Sequence, residues 1–271
     1  LLYAREREIA DALQEALIAP RLPSTPGLAI HAHYRAAREP ERVGGDWYDA
    51  FELSDGRLFV TVGDVTGHGI AAAVEMNRLR QTLIAAALQQ GDPAAILSAA
   101  NRHLLLQGND LRLGTAVCAF IDPRRPSIVY ATAGHPPPVL VTPAGGARTL
   151  LPGGLPLGIQ DHDYRAHTVA VTAGALLVLY TDGLIEFTRD LCEGEARLLE
   201  AATHTLAARP WDPALAIRMR VCGNTAPSDD IAIVTIAFEP HAAFESQSPR
   251  GSGPRTKGLK RGEWSRTRAF R

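Results

Sequence analysis

Cysteine is scarce in this chain. The three present, Cys118, Cys192 and Cys222, are far apart, odd in number and without a CxxC spacing, which disfavours a disulfide framework or a zinc site. A reducing, cytoplasmic setting is therefore expected. No apolar run reaches the roughly 18 residues that a membrane-spanning helix needs. A signal-peptide layout is absent too: the chain opens on Leu1 inside a charged, helix-like pattern, and we read it as a piece of a longer protein with room for an upstream domain. Neither sign of charge dominates the total of −1, but residues 245–271 hold eight Lys/Arg against two Glu, or +6, leaving about −7 for the remainder. With 271 residues, 46% of them apolar, the chain can bury one substantial core with appendages.

The most informative stretch is Arg57 to Gly69, RLFVTVGDVTGHG. Its apolar run Leu58 to Val62 reads as a buried strand and delivers a carboxylate, Asp64, to the strand's end. Three other places repeat the device. Gly44-Gly45-Asp46 opens the strand-like segment Trp47 to Leu53, Thr181-Asp182-Gly183 follows the run Ala175 to Tyr180, and Asp229-Asp230 precedes Ile231 to Val234. Each acidic position has small or turn-forming neighbours that let the backbone bend or approach closely. A single Asp beside Gly is more often a turn or cap residue, but four at strand ends point to a cation.

Taken in order, Arg5 to Ile18 carries Ile9, Leu13, Ala16 and Leu17 at helical spacing, and Pro20, Pro23 and Pro26 break it. Residues 1–26 thus read as a linker or switch helix with a proline-rich lead-in, 27–240 as the catalytic domain, and 241–271 as a basic tail expected to be disordered. A strand at Leu28 to Ala37 comes next, then a hairpin in which Ser54-Asp55-Gly56 joins Trp47–Leu53 to Arg57–Val62. Antiparallel pairing sets the start of one hairpin strand beside the end of the other, so Asp46 and Asp64 should converge. Helices are expected at Ile70 to Leu88 and, capped by Asp92, at Pro93 to Leu106. Further strands are expected at Thr115–Ile121, Ser127–Thr132, Val139–Val141, His167–Val171 and Ala175–Tyr180, the last two joined by Thr172-Ala173-Gly174. Helices at Glu195–Ala208 and Pro213–Cys222 and a strand at Asp230–Phe238 complete the pattern. This order argues for an α+β fold of two packed sheets with helix pairs outside.

The candidate ligands are all oxygen donors, with no His or Cys pair at metal spacing, which selects Mg²⁺ or Mn²⁺ over zinc. Two such ions can share a water, lower its pKa and clamp a phosphoryl group during in-line attack.

These residues also carry a resemblance. Val43-Gly44-Gly45-Asp46-Trp47-Tyr48-Asp49, Gly63-Asp64-Val65-Thr66-Gly67-His68-Gly69, Ala133-Gly134-His135-Pro136-Pro137, Tyr180-Thr181-Asp182-Gly183 and Ser228-Asp229-Asp230-Ile231 resemble, in order and spacing, the SpoIIE/RsbU-like branch of the PPM metal-dependent protein phosphatases. The resemblance spans roughly residues 9–238. It implies a four-layer α/β/β/α sandwich with two Mn²⁺ or Mg²⁺ ions between antiparallel sheets. By position, Asp64 would bridge both ions with the Val65 carbonyl as a backbone ligand; Asp182 and Asp229 would hold one ion, and Asp46 would bind directly or through water. Asp230 is the less certain member of its pair. The implied reaction is dephosphorylation of phosphoserine or phosphothreonine by a metal-activated water, without a phosphoenzyme. The implied substrate is a phosphorylated STAS-domain anti-sigma-factor antagonist in a partner-switching circuit, with an upstream sensor domain controlling the enzyme. Dimerisation through the N-terminal helix fits its position, although the apolar stripe is short.

Other residues admit weaker readings. His68 could donate a proton to the leaving oxygen, but a cap or solvent-facing role is the plainer one. His135 reads as structural, and Asp49 as a turn residue or a support for the site. Of Arg35, Arg38 and Arg42, one could meet the phosphate. Trp47, Tyr48 and Cys118 read as packing residues. A basic tail is usually just solvated, so nucleic acid is not an expected partner. Two rival functions remain: a docking domain of the same fold without catalysis, and a hydrolase of small phosphoesters.

Overall fold

The turn at Ser54-Asp55-Gly56 joins β2 (Trp47–Glu52) to β3 (Leu58–Val65), and β3 alternates between two cores. Leu58, Val60 and Val62 face the opposite sheet, whereas Phe59 and Val65 face helices. Apolar residues on both faces at period two are what a strand covered on both sides requires. The computed structural model describes residues 22–37, 44–106, 113–144, 146–188, 190–225 and 227–240. The expected helix at Arg5 to Ile18, the residues Arg38 and Arg42, and the basic tail lie outside them.

Two five-stranded antiparallel sheets pack face to face. One runs β1 (Leu28–Arg35), β10 (Ile231–Phe238), β9 (Leu176–Tyr180), β6 (Val139–Thr142), β7 (Gly146–Thr149). The other runs β2, β3, β4 (Gly114–Asp122), β5 (Ser127–Ala133), β8 (His167–Ala170). Helices α1 (Ile70–Gln89) and α2 (Pro93–Leu106) cover the second sheet, and α3 (Leu191–Ala208) and α4 (Pro213–Cys222) cover the first. The fold is the expected α/β/β/α sandwich. Three apolar layers hold it together: Val60, Val117, Leu179 and Val234 between the sheets, Phe59, Leu83, Ile96 and Phe120 under α1 and α2, and Val178, Leu198, Ile217 and Ile233 under α3 and α4. Each such side chain contributes about 1.5–3 kcal/mol relative to exposure.

The helix starts follow local chemistry. Asp92 accepts from the Ala94 amide at 3.1 Å, Asp190 from Cys192 and Glu193, and Asp212 from Leu215, each satisfying first-turn donors that have no helical partner.

Two details, in β3 and in β7, differ from the sequence expectation. Strand β3 runs on past Val62 through Gly63, Asp64 and Val65, all paired with β4, so Asp64 is held inside a ladder. Strand β7 was not expected, because Gly146-Ala147-Arg148-Thr149 lacks apolar alternation; it forms by pairing with β6. Strands β8 and β9 do not form a pair: β8 edges one sheet beside β5 and β9 lies within the other between β10 and β6. Thr172 to Gly174 is a passage between sheets.

Candidate metal centre

Register decides where the first two carboxylates go. Trp47 stands opposite Gly63, so Asp46, one residue earlier, faces Asp64, one residue later. Parity then sets the face. Tyr48 and Ala50 of β2 and Val60 and Val62 of β3 point between the sheets, and Asp46 and Asp64 share that side. Gly45 allows the approach: its carbonyl accepts from the Val65 amide at 3.2 Å, and a Cβ there would press on the Val65 carbonyl and come within 2.8 Å of Asp64 Oδ1.

The other sheet supplies the rest. Beyond β9, the Thr181 amide donates to the Ala232 carbonyl at 3.0 Å, and the Ala232 amide donates to Thr181 Oγ1 at 2.9 Å. This clasp locks Thr181 to β10, and Asp182 opens a 3-10 turn over Asp182–Leu184. Asp229 and Asp230 lead into β10, with Asp229 Oδ1 accepting from the Asp230 amide at 2.8 Å.

Among the described residues, these carboxylates face one another more than they face any cation. Burial and then the neighbouring Asp64 and Asp230 push the Asp46 carboxyl well above the usual carboxylate range, against a hydroxyl contact from Thr181. Burial, with Asp182 next, pushes Asp64 up to about 7. Burial, then Glu186 and Asp229, push Asp182 up to about 6. The strongest influences on these acids are thus loss of water and one another.

Among the described residues, the buried Asp46 Oδ2 has no hydrogen-bond partner. Asp230, also raised by burial, differs: its Oδ2 accepts from the Tyr34 hydroxyl at 2.9 Å and its Oδ1 from the Ala37 amide at 2.8 Å. It ties the end of β1 to β10, whereas Asp46 keeps a bare oxygen. Among the described residues no three His, Cys, Asp or Glu side chains are gathered closely enough to hold a metal ion by themselves. An all-oxygen set of this looser kind fits Mg²⁺, which takes one or two carboxylates and retains several waters, and the bare buried oxygen of Asp46 is a polar atom such an ion would satisfy.

A cavity of about 180 Å³ opens over Asp229, lined by Gly44, Gly45, Gly67, His68 and Ser228 among others. His68 is exposed at its mouth. Arg35 is half-buried at the end of β1.

Two residues given structural readings are tied into the frame more closely than their motifs indicated. His135, 4% exposed, has Nε2 3.0 Å from the Tyr180 carbonyl and Nδ1 2.8 Å from Thr115 Oγ1; burial pushes its pKa down to about 3. Asp49 points to the opposite face from Asp46, where its Oδ2 meets Arg80 of α1 at 2.7 Å. Trp47 is buried against Gly63, Tyr48 is half-buried between the sheets, and Cys118 is core, its thiol pushed up to about 12 by burial. Arg80, Tyr34 and Thr181 did not emerge from the sequence. Thr181 had a usable signal, a hydroxyl beside Asp182 at a strand end; the other two had none.

The family model for Stage II sporulation protein E (SpoIIE) matches residues 54–239. The chain belongs to the SpoIIE family. Similar members include the phosphoserine phosphatase RsbP of Bacillus subtilis, 28% identical over 68% of this chain and 46% of that protein, and RsbU of the same organism, 28% identical over 72% and 56%. The chain therefore spans about half the length of these relatives. The crystal structure of the RsbU and RsbW domains of a Mycobacterium tuberculosis protein is similar in fold, with a TM-score of 0.73 and 33% identity over 80% of this chain and 62% of that one. The SpoIIE-family match takes in Asp64, Asp182 and Asp229, and Asp46 lies just ahead of it.

Proposed function

We propose that this chain is a metal-dependent protein serine/threonine phosphatase domain of bacterial signalling, acting on phosphoserine or phosphothreonine. What supports the reading is that Asp46, Asp64, Asp182 and Asp229 come to one end of the sandwich near enough to raise one another's pKa, with Asp46 Oδ2 buried and without a hydrogen-bond partner among the described residues. Asp46, Asp64, Asp182 and Asp229, with the Val65 carbonyl, would hold two Mn²⁺ or Mg²⁺ ions. Bound there, such ions supply an acidified water and neutralise charge on the phosphoryl oxygens.

The chain's own residues do the remaining work. Packing between the sheets keeps Asp46 and Asp64 away from bulk water, which strengthens their hold on a cation. The cavity beside Asp229 is polar, lined by glycine backbone, Ser228 and His68, and it leaves room for a phosphorylated side chain while the rest of the substrate stays outside. His68, exposed among the residues lining that cavity, is the side chain there that could donate a proton to a leaving serine oxygen. The names of RsbP and RsbU, both phosphoserine phosphatases, support the substrate class, and a phosphorylated STAS-domain anti-sigma-factor antagonist is the partner we assign. An upstream sensor domain in the full-length protein would supply control.

The test is phosphate release from a phosphoserine STAS protein with and without Mn²⁺, for wild type and Asp64→Asn. Activity that needs the ion and falls by about a thousandfold or more in the variant is expected. Metal-independent turnover, or an unaffected variant, would remove the reading. Faster turnover of small phosphomonoesters than of the phosphoprotein would favour the small-phosphoester hydrolase. A folded wild type inactive with either ion would favour the docking domain.

A further inference from the structure

The chain crosses from one sheet to the other between β5 and β6, through Gly134-His135-Pro136-Pro137-Pro138, and it does so at the carboxylate end of the sandwich. His135 sits on that crossing with contacts in both directions. On one side is Thr115 of β4, the direct cross-strand partner of Asp64. On the other is the carbonyl of Tyr180, the last residue of β9 and two before Asp182. The ring therefore connects the strand end that carries Asp64 with the strand end that carries Asp182.

The chemistry of these contacts assigns the tautomer. A carbonyl can only accept, so Nε2 carries a proton and donates to Tyr180; in the neutral ring that burial favours, Nδ1 is bare and accepts from the Thr115 hydroxyl. No other side chain combines a donor and an acceptor on opposite edges of one rigid ring. Asn and Gln are more flexible and place their two groups on one fork. The Tyr180 carbonyl lies at the ladder's end, where a strand carbonyl needs a new partner when buried, and the peptide it belongs to leads directly into Thr181 and Asp182. A structural reading would stop there, with His135 filling space and satisfying one carbonyl. The Thr115 contact adds more, because it fixes the ring relative to the neighbour of Asp64 as well.

We propose that His135 is a positioning residue of the metal centre: a neutral strut that sets the separation between the Asp64 and Asp182 strand ends and so tunes ion affinity. This rests on the metal-dependent reading above. Hydrogen-bonding groups behind a metal site typically govern about 10–100-fold in affinity, and His135 acts at one remove on both carboxylates at once. His135→Phe keeps the ring's bulk but severs both arms. His135→Gln retains a donor for Tyr180 and loses the fixed ring, and Thr115→Val removes only the hydroxyl.

The experiment measures Mn²⁺ binding to metal-free protein directly, by the loss of the free-ion electron paramagnetic resonance signal, alongside melting temperatures without metal. Expected are Mn²⁺ dissociation constants raised about 10–100-fold in His135→Phe and by smaller factors in His135→Gln and Thr115→Val, in that order. Nitrogen-15 shifts should report a protonated Nε2 and a bare Nδ1 in the wild type. If the variants melt lower yet bind Mn²⁺ within twofold of wild type, His135 is only a packing residue and the proposal falls. Should His135→Phe fail to fold, His135→Gln and Thr115→Val decide by the same criterion. A folded wild type that binds no Mn²⁺ would instead overturn the metal-dependent reading itself, and this inference with it.

Discussion

Asp46 and Asp49 stand three residues apart on the same stretch of chain, both 3% exposed, and their surroundings are opposite. Asp49 faces α1, where Arg80 meets its Oδ2 through two nitrogens, at 2.7 and 2.9 Å. Asp46 faces between the sheets, where its neighbours are Asp64 of its own sheet and Asp230 and Asp182 of the other. Among the described residues, a cation meets the buried Asp49 and none meets Asp46. Burying a charge without a partner costs several kcal/mol, so the contrast separates an acid that serves the fold from one that serves something the fold lacks.

The largest effect should come from breaking the satisfied side. Arg80→Met leaves Asp49 buried and alone, and a loss of about 3–5 kcal/mol in unfolding free energy is expected, measured by urea titration. Adding Asp49→Leu should restore much of that loss, because an apolar pair of similar volume removes the unpaired charge. If the single variant loses less than about 1 kcal/mol, the pair is not the clamp between β2 and α1 that its burial indicates.

The unsatisfied side should respond to ions. Mn²⁺ at a hundredfold excess over its dissociation constant should add about 2.7 kcal/mol to the stability of the wild type, seen as a rise in melting temperature. Asp64→Asn should forgo that rise. An equal rise in both proteins would mean that the ion binds elsewhere.

Without metal, the unsatisfied side should also show a pH dependence of definite sign. Asp64 is raised to about 7 and Asp182 to about 6 in the fold, from the ordinary carboxylate range near 4. A raised carboxyl binds its proton more tightly when folded. Without metal, stability is therefore unaffected below about pH 4 and is lost as pH climbs to about 7. Asp64→Asn lifts part of this penalty, so the metal-free variant should melt above the wild type at pH 7.5 and beside it at pH 4. His135 acts oppositely, since its lowered pKa of about 3 costs stability as pH falls below 6.5. Because His135 is common to wild type and variant, their difference isolates Asp64.

Much of this arrangement was legible before any coordinates. The hairpin turn and the apolar runs gave β2 and β3, and antiparallel pairing alone brought Asp46 to Asp64. The helix start at Asp92-Pro93 followed from capping chemistry. Features set by contacts distant in sequence were not legible. Arg80 is 31 residues from Asp49, and Tyr34 is 196 from Asp230; neither pairing leaves a local trace. The sequence also reads Gly63-Asp64 as the end of a strand, because glycine followed by aspartate is a turn signal, whereas pairing with Ala116 and Thr115 carries the ladder through both. Strand β7 shows the converse, a segment of low intrinsic preference ordered by its neighbour.

Two of the three tryptophans, Trp47 and Trp211, fall into distinct optical environments. Trp211, 93% exposed on the turn between α3 and α4, is open to collisional quenchers, while Trp47 is 2% exposed and has its indole stacked on Gly63, between the residues that follow Asp46 and precede Asp64; Trp264 lies in the tail. Replacing Trp211 and Trp264 by Phe would leave a single blue-shifted emitter beside the carboxylates. Paramagnetic Mn²⁺ arriving there would darken it and diamagnetic Mg²⁺ would not, so the molecule contains its own luminescent gauge of which ion it has taken up.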